Sequence, residues 1–231
     1  MMTAAISEIG AYDVLCELLL SGALPGGSKL GELELADAFG VSRERIRKIL
    51  QRLGNERLIE LIPNRGAFVA NPSLTVAREI YDARRVLESG VLLSLANIIS
   101  SAQMAELDAH LQSERLAAEK EDRVRMIQLS GAFHINLAAM LGNEYITRYM
   151  QELVSRTSML VALFEQNAPP CGIHEHEEII DALRQRDGAR AAKLCVAHLA
   201  LIETRLKNTE QRESEPVELA VLIGGKLASL G

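Results

Sequence analysis

Two sets of side chains in this 231-residue chain have the types and spacing to do chemistry. The first is a run of guanidiniums, Arg43, Arg45 and Arg47, directly behind Ser42 and followed by Arg65-Gly66. A guanidinium grips guanine or a phosphate oxygen through two parallel hydrogen bonds, so such a run opening a helix suits the major groove of duplex DNA. The second is His134, His176 and His198, each on an apolar face of a different segment. A single inward histidine is ordinarily a hydrogen-bonded core residue. Three in one helical domain can turn neutral nitrogens onto one divalent ion. His110 and His174 fall on more polar faces and read as surface residues.

The arginines need a frame, and the flanking sequence supplies one. Glu32 to Phe39 forms a short amphipathic helix with Leu35, Ala36 and Phe39 on one face, ending at Gly40, which tolerates a tight turn. Val41 plugs the gap, Ser42 caps the next helix, and Ile46, Ile49, Leu50 and Leu53 repeat at helical spacing. Leu58 to Ile62 and Ala67 to Ala70 then read as strands joined by the turn Pro63-Asn64-Arg65-Gly66, a wing with Arg65 at its tip. The fold class is therefore mostly α: an N-terminal winged helix-turn-helix with a small β-hairpin wing, then helices.

Charge separates this stripe from an ordinary solvated face. Val41 to Gly66 carries seven Lys or Arg against three Glu, while the whole chain has a net charge of −6. A positive stripe inside an acidic protein implies a local polyanion. Aromatic residues make up 3% of the chain and none interrupts the stripe, so the stacking platforms of single-strand binders are missing and duplex DNA is favoured.

Before the stripe, Ala5, Ile9, Tyr12, Cys16 and Leu19 lie at helical spacing and predict a first helix ending near Gly22 and Pro25. Asn71-Pro72-Ser73 marks a boundary, because the residue before proline avoids the helical region and Ser73 can cap a new helix. Six amphipathic segments come next, roughly 74–99, 102–121, 123–141, 144–166, 173–187 and 188–208, an antiparallel all-α bundle. The expected domains are 1–71, 72–209 and a tail, 210–231, whose apolar end (Val217, Leu219, Val221, Leu222, Ile223) docks either on the body or on a partner subunit. No apolar run approaches the roughly 20 residues that span a bilayer, and the first residues lack a signal peptide's basic flank, so a cytoplasmic protein with no membrane partner is expected. Three scattered cysteines, Cys16, Cys171 and Cys195, read as small core residues in a reducing compartment.

Residues Leu19 to Val69 resemble the DNA-binding domain of the GntR family of bacterial transcription regulators. The likeness rests on Gly22, Pro25-Gly26, Lys29-Leu30, Leu35-Ala36, Gly40-Val41-Ser42-Arg43, Arg47, Leu50, Leu53, Arg65-Gly66 and Val69. It implies base and phosphate contacts for Arg43 and Arg47, and backbone contacts for Ser42 and Gly66. Leu33 and Arg45 stand where the family commonly has a polar residue and proline, so the operator does not transfer. About residues 76 to 208 resemble the FCD ligand-sensing domain of the FadR subfamily, through Arg84, Leu87-Glu88, Phe133-His134, Leu137, Gly142-Asn143, His176, Ile179, Ala182, Asp187, Ala191 or Ala192, and His198-Leu199. In metal-binding members the counterparts of His134, His176 and His198 hold a zinc, nickel or manganese-type ion with an Asp one turn before the first histidine. Here that position is Ser130, whose neutral hydroxyl weakens a dication site or leaves it for water or effector; the alternative is that the histidines hydrogen-bond the effector directly.

The likeness also implies a small organic acid effector, with Arg84, Ser130, His134, His176 and His198 as its binding residues. Arg84 has either of two partners, the acid's carboxylate or Glu88 at i+4. The chain is thus expected to be a homodimeric, effector-controlled repressor reading an inverted-repeat operator, with no enzymatic role. Two other functions compete with it. A metal-dependent hydrolase could use the three histidines, but Glu175, Glu177 and Glu178 around His176 make no HExxH pattern. The winged module could instead bind protein.

Overall fold

The helical and strand periods reappear, with different edges, in a computed structural model that describes residues 7–165, 172–207 and 218–229. The chain divides into two units, one holding the residues up to Asn71 together with the C-terminal helix, the other running from Pro72 through the long helices.

In the first unit α1 (Glu8–Leu20) leads to β1 (Lys29–Leu30), α2 (Glu32–Phe39), α3 (Arg43–Asn55), β2 (Ile59–Ile62) and β3 (Gly66–Val69). Gly40 closes α2 at φ +65°, the left-handed cap that lets α3 start three residues later. Ser42 Oγ accepts the Arg45 N–H and caps α3, whose buried stripe is Ile46, Ile49, Leu50 and Leu53. Val41, expected to fill the gap between these helices, is half-buried. The wing is a three-stranded antiparallel sheet in the order β1-β3-β2, with Leu61 opposite Ala67 and Leu30 also opposite Ala67 on the other edge. The sequence pattern shows only the hairpin, displaced by one residue at each strand start; two residues of β1 are too short to show an alternation. Asn64 at φ 62° and Gly66 at φ 102° turn the hairpin.

The second unit holds α4 (Leu74–Ile98), α5 (Ser101–Glu119), α6 (Arg123–Ala139), α7 (Glu144–Phe164), α8 (Ile173–Arg184) and α9 (Gly188–Lys207). Ser73, Ser100, Asp122 and Asn143 each cap the next helix with a side-chain oxygen, which explains why the breaks fall where they do. Helix α4 lies along α9 and also meets α6 and α7, while α5 and α9 flank α8. Polar residues interrupt the buried stripes of α4 (Arg84, Glu88) and α5 (Glu114), and all of them point to one place.

A last helix, α10 (Leu219–Ser229), packs on α1 and α2 of the first unit. Leu219 and Ile223 are buried there, and Lys226 pairs with Glu17. This arrangement also corrects one member of the face assigned to α1: Cys16 and Leu19 are buried and Tyr12 half-buried as expected, but Ile9 is 70% exposed and burial extends instead to Val14, Leu15 and Leu18, because the apolar half of α1 is covered by α3 on one side and α10 on another. Ala5, Cys171 and Val217 lie outside the described residues; Cys16 and Cys195 are buried and free. Among the described residues no helix is long and apolar enough to cross a membrane.

Candidate functional site

The recognition edge of α3 is open to solvent. Arg43, Arg45 and Arg47 are all exposed, as are Arg65 and Gly66 on the wing. Two of these arginines are not bare. Glu32, in the first turn of α2, accepts Arg47 Nε at 3.2 Å and Nη2 at 2.9 Å, and Arg43 Nη2 lies 3.6 Å from the same carboxylate. Hydrogen bonds from Arg47 hold the Glu32 carboxyl below its usual range. Because Glu32 lies just outside the counted stripe, the positive excess on this edge is one smaller than the sequence count implied. Arg52 departs further from expectation: its guanidinium lies 3.6 Å from the Tyr12 ring centroid and bonds Glu56, so it clamps α1 to α3 rather than facing a groove. Arg65 stands over the Phe68 ring at 5.4 Å, at the wing tip.

In the helical unit, α6, α8 and α9 bring His134, His176 and His198 together, with one ligand atom from each lying within 4.8 Å of the others. His176 Nε2 and His198 Nε2 are 3.3 Å apart. Two nitrogens on a tetrahedral zinc ion, each bonded at about 2.0–2.1 Å, are separated by about 3.3–3.4 Å, so this pair already has the spacing an ion requires. The opposite ring atoms are held by carboxylates. Both oxygens of Glu114 lie 3.0 Å from His176 Nδ1. Glu88 Oε2 stands 2.6 Å from His134 Nδ1, a close charge contact without hydrogen-bond alignment. A carboxylate at Nδ1 favours a proton there and leaves the Nε2 lone pair for a metal. Among the described residues no carboxylate is hydrogen-bonded to His198 Nδ1; that nitrogen borders Gly172, where an added Cβ would come within 2.9 Å of it and within 2.5 Å of Glu175 Oε2.

Electrostatics keep these groups in their ligating forms. Burial pushes His134 down to about 4 despite the nearby Glu88 charge, and burial with the neighbouring histidines pushes His198 well below its ordinary value. Burial works to raise Glu114, but hydrogen bonds from His110 and His176 prevail and bring it to about 2. The Glu88 carboxyl is likewise held below its usual range: burial opposes this, and the Arg84 guanidinium together with contacts from His134 and Cys195 overcomes it. Cys195 Sγ donates to Glu88 Oε2 at 3.1 Å, and burial raises its thiol well above the ordinary value, so it serves as a donor in the packing.

Beside the histidines is a recess of about 330 Å³, part of it open solvent, lined by Tyr81, Arg84, Ser130, His134 and Thr157 among others. Arg84 takes the partner foreseen at i+4, with Nε 2.6 Å from Glu88 Oε1, and also donates from Nη1 to Thr157 at 2.8 Å. Its Nη2 has no partner although the residue is 3% exposed. The buried Tyr81 hydroxyl is also unpartnered. An unpaired buried donor costs about 1–3 kcal/mol, so both atoms are short of a partner among the described residues.

Residues 10–69 match the family described as bacterial regulatory proteins, gntR family, and residues 79–201, over half of the chain, match the FCD domain. The chain belongs to the GntR family and carries an FCD domain. It is 25% identical over 206 residues to the HTH-type transcriptional repressor RspR of Escherichia coli, covering 88% of this chain and 90% of that protein. It is 28% identical over 186 residues to the gluconate operon transcriptional repressor of Bacillus subtilis, covering 78% and 76%. The fold matches the solved structure of E. coli McbR/YncC with a TM-score of 0.72 at 20% identity, over 89% of this chain and 98% of that one. It is thus a DNA-binding transcription regulator.

Several residues of this GntR-family regulator carry roles that the sequence pattern does not reveal. His110, expected at the surface, has a side chain only 10% exposed; its Nε2 meets the Leu129 carbonyl at 3.0 Å and lies 3.5 Å from Glu114. The correction has a legible cause, since Leu107, Leu111 and Glu114 form one buried stripe on α5 and His110 borders it. His174 is exposed as expected. Glu114 stands out as an acid on an apolar stripe, but nothing in its neighbourhood ties it to His176, 62 positions away. Glu32 and Tyr81 have no sequence signal at all. Ser130 lines the recess from the turn before His134.

Proposed function

We propose that this regulator is a repressor, acting in the cytoplasm as a homodimer on an inverted-repeat operator, whose DNA affinity is set by a small organic acid and a divalent metal ion in the helical unit. One observation carries the reading: three imidazoles converge, two of them with ion-like spacing, beside a recess lined by Arg84, whose Nη2 has no partner among the described residues. His134, His176 and His198 would hold the ion, which, when bound, supplies a Lewis-acid anchor for a carboxylate. Glu88 and Glu114 fix the orientation of two of these rings, and Arg84 offers a planar donor edge suited to an acid. At the other unit, Arg43, Arg45, Arg47 and Arg65 would meet base edges and phosphates, with Ser42 and Gly66 at the backbone.

The two sites communicate by linkage: an acid that binds one state of the dimer better shifts DNA affinity by that difference. The test uses fluorescence anisotropy on the duplex upstream of the regulator's own gene, with chelator-treated and zinc-loaded protein, with and without a panel of organic acids. Expected is salt-dependent binding that at least one acid weakens in the zinc-loaded protein. Binding that shows no salt dependence refutes the DNA interface, and binding indifferent to zinc and every acid refutes the sensing site.

A further inference from the structure

Two of the three imidazoles have a carboxylate at Nδ1, and His198 has none bonded there among the described residues. The difference follows from where the protons sit in the metal-free cluster. Glu114 accepts the N–H of His176 Nδ1, which leaves His176 Nε2 with a lone pair. Its partner 3.3 Å away, His198 Nε2, must then be the donor. A neutral imidazole carries one N–H, and burial with the neighbouring histidines keeps His198 neutral, so its Nδ1 is bare and has no use for an anion.

An ion between the two Nε2 atoms reverses that requirement. It takes the place of the shared proton and bonds both lone pairs, so the proton of His198 passes to Nδ1 and the ring stays neutral. His198 is 1% exposed, and a buried N–H needs an acceptor. At Gly172, just before α8, a Cβ would lie 2.9 Å from His198 Nδ1 and 2.5 Å from Glu175 Oε2, so the nitrogen and the oxygen flank one small gap that a side chain would fill. Gly172 has φ −94°, outside the left-handed region that favours glycine, so its backbone does not account for the missing side chain. Glu175, half-buried in the first turn of α8, has no hydrogen bond or ion pair among the described residues.

Resting on the metal reading above, we infer that Glu175 is a positioning residue of the metal centre: when the ion loads, its carboxylate crosses the gap at Gly172 and accepts the new Nδ1–H of His198. The third ring then has the kind of support that Glu88 and Glu114 give the other two. The charge of the dication draws the carboxylate the same way, and once there it fixes the ring and raises the basicity of the ligating nitrogen.

The experiment uses the full chain, chelator-treated or loaded with zinc alone, as wild type, Glu175→Gln, Glu175→Ala, Gly172→Ala and the Gly172→Ala/Glu175→Ala double variant. Competition with a chromophoric chelator gives zinc affinity, and melts of the metal-free proteins give stability. Nitrogen–proton NMR of the imidazole rings, assigned with His198→Gln, locates the His198 proton. In wild type that proton should sit on Nε2 without zinc and on Nδ1 with it. Glu175→Ala should lower zinc affinity about 10- to 100-fold, and Glu175→Gln, which keeps an acceptor oxygen, should lower it less. Neither should move the metal-free melting temperature, because Glu175 is unbonded before loading. Gly172→Ala fills the gap and should also weaken zinc binding, and the double variant should lose less than the two single losses together, since both act on one contact. Zinc affinity that is equal in wild type and both Glu175 variants, or a His198 proton that stays on Nε2 in the loaded protein, overturns the inference while the metal reading stands. Glu175 variants that melt lower without metal overturn it too, because the side chain is then holding the fold rather than answering the ion. A wild type that takes up no zinc overturns both.

Discussion

Glu32 accepts two hydrogen bonds along one edge of Arg47, from Nε to Oε1 at 3.2 Å and from Nη2 to Oε2 at 2.9 Å, on the face that the recognition helix turns to solvent. An ion pair this exposed adds little to folding, so its consequence lies in DNA reading. The carboxylate fixes one edge of the guanidinium and leaves the other for a base, and its own charge repels stray phosphate. Glu32→Ala should therefore strengthen binding to a scrambled duplex and weaken binding to a duplex selected from a random pool by the wild type, lowering the specificity ratio about tenfold. Anisotropy titrations on both duplexes check this; affinities that rise together would reduce Glu32 to a simple screening charge.

Arg43, Arg47 and Arg65 should each lose DNA affinity on replacement by Ala, with the slope of log affinity against log salt falling by about one for each phosphate that the variant no longer neutralises. Arg52→Ala should behave differently. Its side chain lies against Tyr12 and Glu56, so the variant loses about 1 kcal/mol of stability and keeps the wild-type salt slope. Denaturant melts alongside the salt series separate the two classes.

Glu114 touches no ligand directly, yet it fixes the ring of His176. Glu114→Gln keeps a hydrogen-bond acceptor for Nδ1 but removes the charge that raises the ring's basicity, and zinc affinity should fall about 10- to 100-fold. Competition with a chromophoric chelator measures it, and the melting temperature of the metal-free variant reports whether the fold is intact.

Acid should destabilise the metal-free protein in two stages. His134 and His198 are held neutral when folded but take up protons near pH 6.5 when unfolded. Below that value the unfolded state binds more protons, so stability falls as pH drops from about 6.5 toward about 4 and is flat above. The second stage begins below about pH 4.5, where Glu88 and Glu114 are ionised in the folded state but protonated when unfolded, and it runs to about 2. Melts in chelator across this range, repeated for His198→Gln, should show the first stage shrink and the second persist.

The DNA-binding unit is the more legible of the two in the sequence because its chemistry is local. Ser42, Gly40 and the isoleucines of α3 sit within one turn or two of each other, and periodicity reports such neighbours directly. The three histidines are legible as inward residues, but not their carboxylate supports, since the pairing of Glu114 with His176 is a product of how α5 and α8 pack. Arg84 lies between: sequence spacing names Glu88 as a partner, and only packing adds Thr157 and leaves Nη2 bare. The α1 face misleads for a related reason, because a helix covered on two sides has no single stripe to read.

That two-sided cover makes α10 the subject of a final test. Ile223 is fully buried against the first unit, while Val221, two positions earlier, is 65% exposed. A carboxylate at position 223 would sit unpaired in an apolar contact, and the lost side chain alone accounts for about 2–5 kcal/mol. Ile223→Asp should therefore either melt the first unit or release α10 from it, and in both cases amide exchange should rise in α1 and α2, the helices that α10 covers. Val221→Asp, on the solvent face, should change stability by less than about 0.5 kcal/mol. Equal effects from the two substitutions, or unchanged exchange in α1 and α2, would show that α10 does not pack on these helices.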